Sequence, residues 1–495
     1  MKKGLLGLVV TILLLMLIIS YRTTYFFKDT QYQPAASLQP VQIDIAAAAQ
    51  RLSKAIQFKT ISYEAANSEQ TLFEGEPFIQ LAAYLETAFP HVHRAMQKEV
   101  INQYSLLYEI EGTNAQLKPA LFMGHTDVVP VDEATLNNWT HAPFSGEVTH
   151  DAIWGRGAMD DKVTVLALLE AMEQLLAEGL RPKRTIYFAF GHDEEIGGEQ
   201  GAKLIAEQFK AKGIEFEFVL DEGGAVTQDM LLDASTPLAI IGIAEKGYVN
   251  LRLSVNSEGG HSSQPPKHTA AGILSQAIVN LEHNPFPANI RFIHNTISHV
   301  GYYAPLSMRL PMANTWLFEP LIIWSANDNP ALSAGMRTTT AATMLQGSAK
   351  SNILPTQATA VVNFRILPGD SIDSVIAHAK RVIDDDRVNI EAFAGNEPSA
   401  VSTTDSMGYR LIEQTIRRLD NNILVAPYLV QGGTDAKHFT QLSDSIYRFM
   451  MVTLNPVTMK QFHGVNEHIS LDDYARAIQF YYAMLKQTAN NEMPE

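Results

Sequence analysis

The stretch 120-ALFMGHTDVVP-130 decides the fold that we predict for this chain. Its apolar part, which ends at Met123, has the composition of a buried β-strand. His125 and Asp127 follow that strand directly. In open α/β sheets, ligands bind at the carboxyl ends of the strands. The stretch therefore predicts an α/β sheet whose active site includes these two side chains.

Two further apolar runs repeat this arrangement. Residues 184–190 and residues 216–220 also have strand composition, and a loop with carboxylates follows each of them. The candidate residues in these loops are Glu194, Glu195 and Asp221. Because the ends of parallel strands meet at one edge of a sheet, we expect the three loops to converge.

The alternation of strands and helices predicts an α/β catalytic domain with a mostly parallel sheet flanked by helices. From about residue 246 the strand candidates alternate apolar and polar residues, as half-buried antiparallel strands do. The βα pattern returns after about residue 400. The predicted segments are a transmembrane anchor (1–22), a tether (23–44), a catalytic domain (45–245 and 398–490) and an inserted α+β lid/dimerisation domain (246–397).

Composition narrows the classes of function. The chain has 495 residues, of which 46% are hydrophobic and 18% charged, and its formal net charge is −16. Such acidity argues against nucleic acid as a partner, because nucleic-acid binding needs clustered Lys and Arg. The sequence has no cysteine, which excludes disulfides, thiolate metal sites and cysteine nucleophiles.

The amino terminus predicts a membrane segment. Lys2 and Lys3 precede an apolar run over residues 4–19, just below the usual spanning length. The run is either a short anchor or the core of a signal peptide. The bulky flank SYRTTYFFK favours an uncleaved anchor, with the lysines in the cytoplasm and the enzyme on the other side, which is the periplasm if the source is bacterial.

Candidate ligands of a metal centre are the imidazole and carboxylate groups in the three strand-end loops, joined by Asp160 just before a helix and His463 beyond an apolar run. A single His or Asp in a loop is more often a solvated residue or a cap, but five ligand-type residues at strand ends or in loops favour a metal. Imidazole and carboxylate ligands suit a divalent ion that activates water. A carboxylate shared by two ions holds them about 3.5–4 Å apart. Asp127 can accept the second imidazole N–H of His125 and fix its tautomer.

Seven groups of motifs, in order, resemble one known family. They are GHTDVVPV (124–131), WGRGAMDDK (154–162), HDEEIGG (192–198), LDEGG (220–224), GGHSSQPP (259–266), SNILP with FRILPGD (351–370) and HGVNEHIS (463–470). Together they resemble the di-zinc metallopeptidases of the aminoacylase and carboxypeptidase S type, over about residues 45–490. The anchor and MRTTTAATM (336–344) resemble the carboxypeptidase S and N-fatty-acyl-amino-acid hydrolase/synthase branch.

The resemblance implies two Zn²⁺ ions, with Mn²⁺ or Co²⁺ as substitutes. Asp160 would bridge the ions, and the two sites would be completed by these pairs: His125 with Asp221, and Glu195 with His463. Glu194 would be the general base and Asp127 would orient His125. The family also often has a cis peptide after the bridging aspartate.

The resemblance also assigns residues outside the metal ligands. His261 would stabilise the oxyanion, often at the metal centre of a partner copy, so a homodimer is an expected option. Arg365 and Asn352 would grip the substrate carboxylate, for which a guanidinium fork is suited. Gly433 and Thr434 match a substrate-facing loop, and a plain tight turn explains them nearly as well.

The expected substrate is a small N-acyl amino acid or peptide with a free carboxylate, cleaved at the adjacent amide bond. Three functions stay open: an N-acyl-amino-acid amidohydrolase, a carboxypeptidase or dipeptidase, and a non-catalytic membrane-anchored binding protein on the same fold. WLFEPLIIW (316–324) is either the buried face of a lid helix or part of an acyl-chain groove.

Overall fold

The computed structural model describes residues 2–32, 34–64, 73–230 and 236–491. Helix α1 (Lys2–Tyr25) begins the chain, and its apolar residues are exposed rather than packed against the protein. By length and composition the segment Lys3–Thr30 can cross a membrane, and a signal sequence would meet the same criteria. The structure therefore supports a membrane-compatible helix without deciding between anchor and signal.

The strands of the large sheet come from two parts of the chain. In chain order the first contains α2 (Ile45–Ile56), α3 (Gly75–Ala88), α4 (Pro90–Ala95), β1 (Gln97–Ile101), β2 (Ser105–Ile110), β3 (Ala120–His125), β4 (Ala152–Trp154), α5 (Lys162–Ala177), β5 (Ile186–Gly191), α6 (Ala202–Ala211), β6 (Phe218–Asp221), β7 (Val226–Thr227) and β8 (Leu238–Glu245).

The middle of the chain contains β9 (Gly247–Asn256), β10 (Gly260–His261), α7 (Ala270–His283), α8 (Arg291–Val300), α9 (Leu306–Ala313), α10 (Thr315–Ala326), α11 (Pro330–Ala334), β11 (Thr339–Gln346), β12 (Ile353–Leu354), β13 (Gln357–Ile366), α12 (Ile372–Ile383) and β14 (Asn389–Asn396). The last part contains α13 (Met407–Leu419), β15 (Leu424–Val430), β16 (Ile446–Arg448), β17 (Thr453–Leu454), β18 (His468–Ser470) and α14 (Leu471–Asn490).

These two parts, the first and the last, form a ten-stranded sheet in the order β1-β2-β5-β3-β6-β16-β8-β7-β17, with β15 paired to β8. Its central strands β5, β3, β6 and β16 are parallel. Alternate side chains of β3 enter cores on opposite faces: Phe122 packs with α5 and α14, and Met123 packs with α6. The predicted α/β fold is confirmed, and the three strands read from the sequence lie side by side.

A four-stranded antiparallel sheet, in the order β11-β13-β9-β14, forms a second core with α7 and α12. Inward-facing Val249, Leu251 and Leu253 alternate with more exposed residues along β9, which is the pattern that the sequence predicted. Helices α8 to α11 do not join this core. Helix α8 packs on β15 of the large sheet, where Thr296 donates a hydrogen bond to the Pro427 carbonyl at 2.7 Å.

The predicted tether is docked on the protein along part of its length. Phe27 is buried against α8 and α9, and Tyr32 hydrogen-bonds both the N–H and the carbonyl of Val425. The Arg417 guanidinium lies 4.2 Å from the Tyr32 ring centroid. These contacts fix the end of α1 against the catalytic domain.

Candidate metal centre and active site

Three neighbouring strand ends form the candidate site. His125 ends β3, Glu194 and Glu195 stand in a short 3₁₀ turn after β5, and Glu222 follows β6. Because β5, β3 and β6 are parallel neighbours, their loops open at the same edge of the sheet. The predicted convergence of the three loops is therefore observed.

The first ligand group consists of His125, Asp160 and Glu222. The His125 Nε2 atom lies 3.0 Å from Asp160 Oδ1 and 3.4 Å from Glu222 Oε1. His125 is buried, and burial raises the pKa of Glu222 to about 7. An imidazole and two carboxylates thus point at one small volume.

The second group consists of Asp160, Glu195 and His463. The His463 Nε2 atom lies 3.2 Å from Asp160 Oδ2 and 3.0 Å from Glu195 Oε2. Each oxygen of Asp160 therefore faces a different histidine, and Asp160 is common to both groups. The peptide after it, Asp160–Asp161, is cis, as the resemblance implied.

Asp221 and Glu222, the two carboxylates at the end of β6, have different surroundings, and the ligand role of Asp221 stays a prediction. Asp221 was expected beside His125, but its carboxylate accepts hydrogen bonds from the backbone N–H groups of Glu222 and Ala436, at 3.0 and 2.8 Å. The next residue, Glu222, takes the place beside His125. Adjacent residues at a strand end point in different directions, so the two carboxylates have different partners.

Asp127 connects the first two loops. Its carboxylate accepts the backbone N–H groups of Glu194 and Glu195, both at 3.1 Å, and the Ser62 hydroxyl at 2.6 Å. The His125 Nδ1 atom lies 3.0 Å from the Asp127 carbonyl oxygen and 3.3 Å from its Oδ1. Asp127 is thus placed to orient His125, and it also holds the loop that carries Glu194.

Glu194 stands beside both ligand groups. Burial raises the pKa of its carboxyl group well above the ordinary value, and the nearby carboxylates of Glu222, Asp435 and Glu195 add to that effect. A carboxyl group in such surroundings accepts a proton readily, which is what a general base requires.

A buried ion pair that was not predicted from the sequence supports Asp160. The Glu467 carboxylate accepts the backbone N–H groups of Met159 and Asp160, at 2.9 and 3.3 Å, and pairs with Arg156 at 2.5 Å. Both charged side chains are buried. Glu467 and Arg156 each lie within a quoted motif, but only the fold shows that these motifs contact each other.

Gly433 and Thr434 have different environments. Gly433 is exposed, whereas Thr434 is buried and donates hydrogen bonds from its N–H and its hydroxyl to Glu245 Oε2, both at 3.0 Å. The same Glu245 oxygen accepts a hydrogen bond from Arg448 at 3.1 Å. Thr434 is therefore held by a buried structural network, and Gly433 is the exposed member of the pair.

The remaining predicted residues lie in the middle of the chain, on the smaller sheets. His261 is exposed on β10, which pairs with β12, and the Ser262 N–H donates to the Asn352 carbonyl at 3.2 Å. Arg365 lies on β13, with its guanidinium 5.7 Å from the Tyr248 ring centroid. Among the described residues no hydrogen bond or ion pair connects His261, Asn352 or Arg365 to either ligand group.

The donor atoms fit divalent cations. Glu195 Oε1 is buried and has no hydrogen-bond partner in the described part of the chain, so it is free to bind a ligand. Hydrogen bonds to Asp160 and Glu195 raise the pKa of His463 to about 10, which shows that this carboxylate-rich volume favours positive charge. Imidazole with carboxylate is a donor set that suits zinc and neighbouring metals.

An α/β sheet with two such groups at its strand ends defines a metal-dependent hydrolase. The chain belongs to the peptidase family M20/M25/M40, whose sequence profile matches residues 121–487. The predicted family and the prediction that the protein is an enzyme are both confirmed.

Curated relatives match most of the chain. A probable carboxypeptidase S-like 2 of Dictyostelium discoideum is 42% identical over 89% of this chain and 85% of its own length. The N-fatty-acyl-amino acid synthase/hydrolase PM20D1 of Homo sapiens is 36% identical over 90% and 88%. The crystal structure of the M20 family metallo-carboxypeptidase Sso-CP2 from Sulfolobus solfataricus shares the fold, with a TM-score of 0.65 at 19% identity over 89% of this chain and 99% of that chain.

Proposed function

We propose that this protein hydrolyses an amide bond next to a free carboxylate with two divalent ions, natively Zn²⁺, for which Mn²⁺ or Co²⁺ can substitute. The observation that carries the proposal is that Asp160 directs one oxygen to each ligand group. We assign His125 and Glu222 to one ion, Glu195 and His463 to the other, and Asp160 to both. A non-catalytic binding protein would have no need of this complete set with the half-buried Glu194 beside it.

Two bound ions would polarise the scissile carbonyl and lower the pKa of water. Glu194 takes the proton of the attacking water and passes it to the leaving amine. Asp127 holds His125 and the Glu194 loop in position through its hydrogen bonds. His261 donates to the developing oxyanion, and Arg365 with Asn352 binds the substrate carboxylate; these three side chains reach the reacting groups by closure of their domain or from a partner copy.

We propose N-acyl amino acids with long acyl chains as the main substrates. The relative named N-fatty-acyl-amino acid synthase/hydrolase, which is 36% identical over most of the chain, supports this class. Peptide hydrolysis is the second candidate, since the 42% identical relative is named a probable carboxypeptidase S-like protein. We further propose that α1 is an uncleaved anchor that places the catalytic domain on the non-cytoplasmic side, in the periplasm if the source is bacterial.

A series of N-acyl derivatives of one amino acid, from acetyl to a long fatty acyl group, tests the substrate. Each buried methylene contributes up to about 0.8 kcal/mol, so kcat/KM should increase several-fold per two carbons until the acyl site is filled. The measurement is made below micelle-forming concentrations, with a dipeptide in parallel as the control. A flat profile with rapid dipeptide cleavage would instead identify a carboxypeptidase or dipeptidase.

The proposed role of Glu222 as a metal ligand is tested by comparing it with the adjacent Asp221. Glu222→Ala removes a proposed ligand and is expected to lower the metal content by about one ion per chain, because its site keeps too few donors. Asp221→Asn is the matched variant; it should retain both ions, since its carboxylate accepts hydrogen bonds from backbone N–H groups. Elemental analysis of the purified proteins measures the metal content of both variants. Metal loss in Asp221→Asn alone would restore the assignment made from the sequence.

A further inference from the structure

Helix α10 has an exposed apolar face. Trp316 and Trp324 are 55% and 69% exposed, and Leu317 and Leu321 are also exposed. At 100° per residue these four side chains, with exposed Pro320, cover one side of the helix without a charge among them. The opposite side packs: Ile322 contacts the cluster around Phe27, and Ala326 is buried. The sequence left open a buried helix or an acyl groove; Ala326 is the one fully buried residue of α10, and four others are half-buried.

This face is attached to the end of α1. The Arg22 Nε atom donates to the Ala313 carbonyl at 2.9 Å, and the Asn314 side chain donates to the Thr23 hydroxyl at 3.1 Å. Asn314, which joins α9 to α10, is fully buried there. Phe27 completes the junction by packing on Met312 and Ala313. Helix α10 therefore has a fixed position relative to α1.

The junction lies at the depth of a membrane surface. At about 1.5 Å per residue, the apolar part of α1 approaches the roughly 30 Å of a hydrocarbon core and ends near Arg22. Exposed Tyr21 and Tyr25 stand at this level, where tyrosine and tryptophan are enriched in membrane proteins. If α1 crosses a bilayer, α10 is held where the headgroups meet the acyl chains.

Helix α11, which follows α10 and contacts it, is bound to the large sheet. Gln431, just before the Gly433 loop, donates to the Ala331 carbonyl of α11 at 3.1 Å. Lys246 donates to the Ala334 carbonyl at 3.0 Å. These contacts connect α10, through α11, to the ends of β8 and β15.

We infer that α10 is a second membrane contact, a helix that lies in the bilayer interface beside α1 with Trp316, Leu317, Leu321 and Trp324 in the lipid. The occupant of the face is a phospholipid bilayer, argued from the continuity of this face with α1 and from its lack of charge. The net charge of −16 favours zwitterionic over anionic lipid. The inference rests on the membrane insertion of α1 and not on the proposed chemistry.

Tryptophan fluorescence of the full chain tests the proposed lipid contact. Of the four tryptophans, Trp316 and Trp324 lie on α10, and Trp139 and Trp154 lie elsewhere. The protein is reconstituted in phosphatidylcholine vesicles with or without brominated acyl chains, which quench tryptophans that contact them. Trp139→Phe with Trp154→Phe leaves the α10 pair, and its emission should fall by about twofold in brominated lipid, as expected for tryptophans in the interface. Trp316→Phe with Trp324→Phe leaves Trp139 and Trp154 in the catalytic domain and should show little quenching.

Leu321→Glu in the Trp139→Phe, Trp154→Phe background adds a measurement at an exposed position, where the change leaves the core intact. It should reduce the quenching, since a charge in the apolar face disfavours lipid contact. Equal emission of the α10 pair in both lipids overturns the inference. An unquenched α10 pair together with a cross-linked dimer would assign the face to a second copy of the chain instead. Neither result depends on turnover, so the chemistry is tested separately.

Discussion

Replacing Glu194 by glutamine is expected to lower kcat by about 10³-fold while metal content stays at the wild-type level. Glutamine has nearly the size of glutamate but cannot take a proton from water. The surroundings of Glu194 favour proton uptake, because burial and the neighbouring carboxylates raise the pKa of its carboxyl group. Its backbone N–H, bound by Asp127, is unchanged by the substitution, so the loop should keep its place.

The measurement combines steady-state kinetics with elemental analysis of the same preparation. Glu199→Gln is the matched control, because Glu199 is an exposed residue a few positions further along that pairs with Lys203 on the surface. Surface pairs of this kind contribute about 0–1 kcal/mol, so the control should retain its activity. Substantial turnover by Glu194→Gln, with metal content unchanged, would remove the general-base role.

The sequence was sufficient to predict the strands that carry the site. The runs before His125, Glu194 and Asp221 are short but mostly apolar and are followed by polar loops, and they correspond to β3, β5 and β6. Local composition carries this information because buried parallel strands must be apolar on both faces. Four of the five predicted ligands lie in the two groups for the same reason.

The local sequence pattern does not show whether Asp221 or Glu222 faces His125. Both are carboxylates at one strand end, and only the direction of the side chain distinguishes them. That direction depends on Ala436, whose N–H binds the Asp221 carboxylate from far away in the sequence. The Arg156–Glu467 ion pair could not be predicted from local sequence either, because its two residues are 311 positions apart.

The exposed side of α10 illustrates a different limit of prediction from sequence. An apolar helix such as WLFEPLIIW is predicted to be buried, since burial of apolar side chains is the main driving force of folding. The sequence does not show which solvent takes up the apolar side chains that remain outside. The structure adds the contacts of Arg22 and Asn314, which attach the helix to a segment long and apolar enough to cross a membrane, and our inference of a lipid contact is argued from them.

Replacing Asp160 by alanine is expected to have the largest effect of all, with loss of both ions and of activity. Each oxygen of Asp160 faces a different histidine, at 3.0 and 3.2 Å, so the substitution removes a donor from both groups at once. Replacing Glu222 removes a donor from only one group. Metal content and turnover should therefore fall together, unlike the result expected for Glu194→Gln.

Thermal unfolding with and without a chelator gives a readout independent of activity. Ions that bind only the folded chain stabilise it by about 4 kcal/mol when the free ion is 1,000 times Kd. A chelator should therefore lower the Tm of the wild type and leave the Tm of Asp160→Ala unchanged. Asp444→Ala, at an exposed turn, is the control and should respond like the wild type. Retention of two ions and of the chelator response by Asp160→Ala would show that the two groups bind metal without a shared carboxylate.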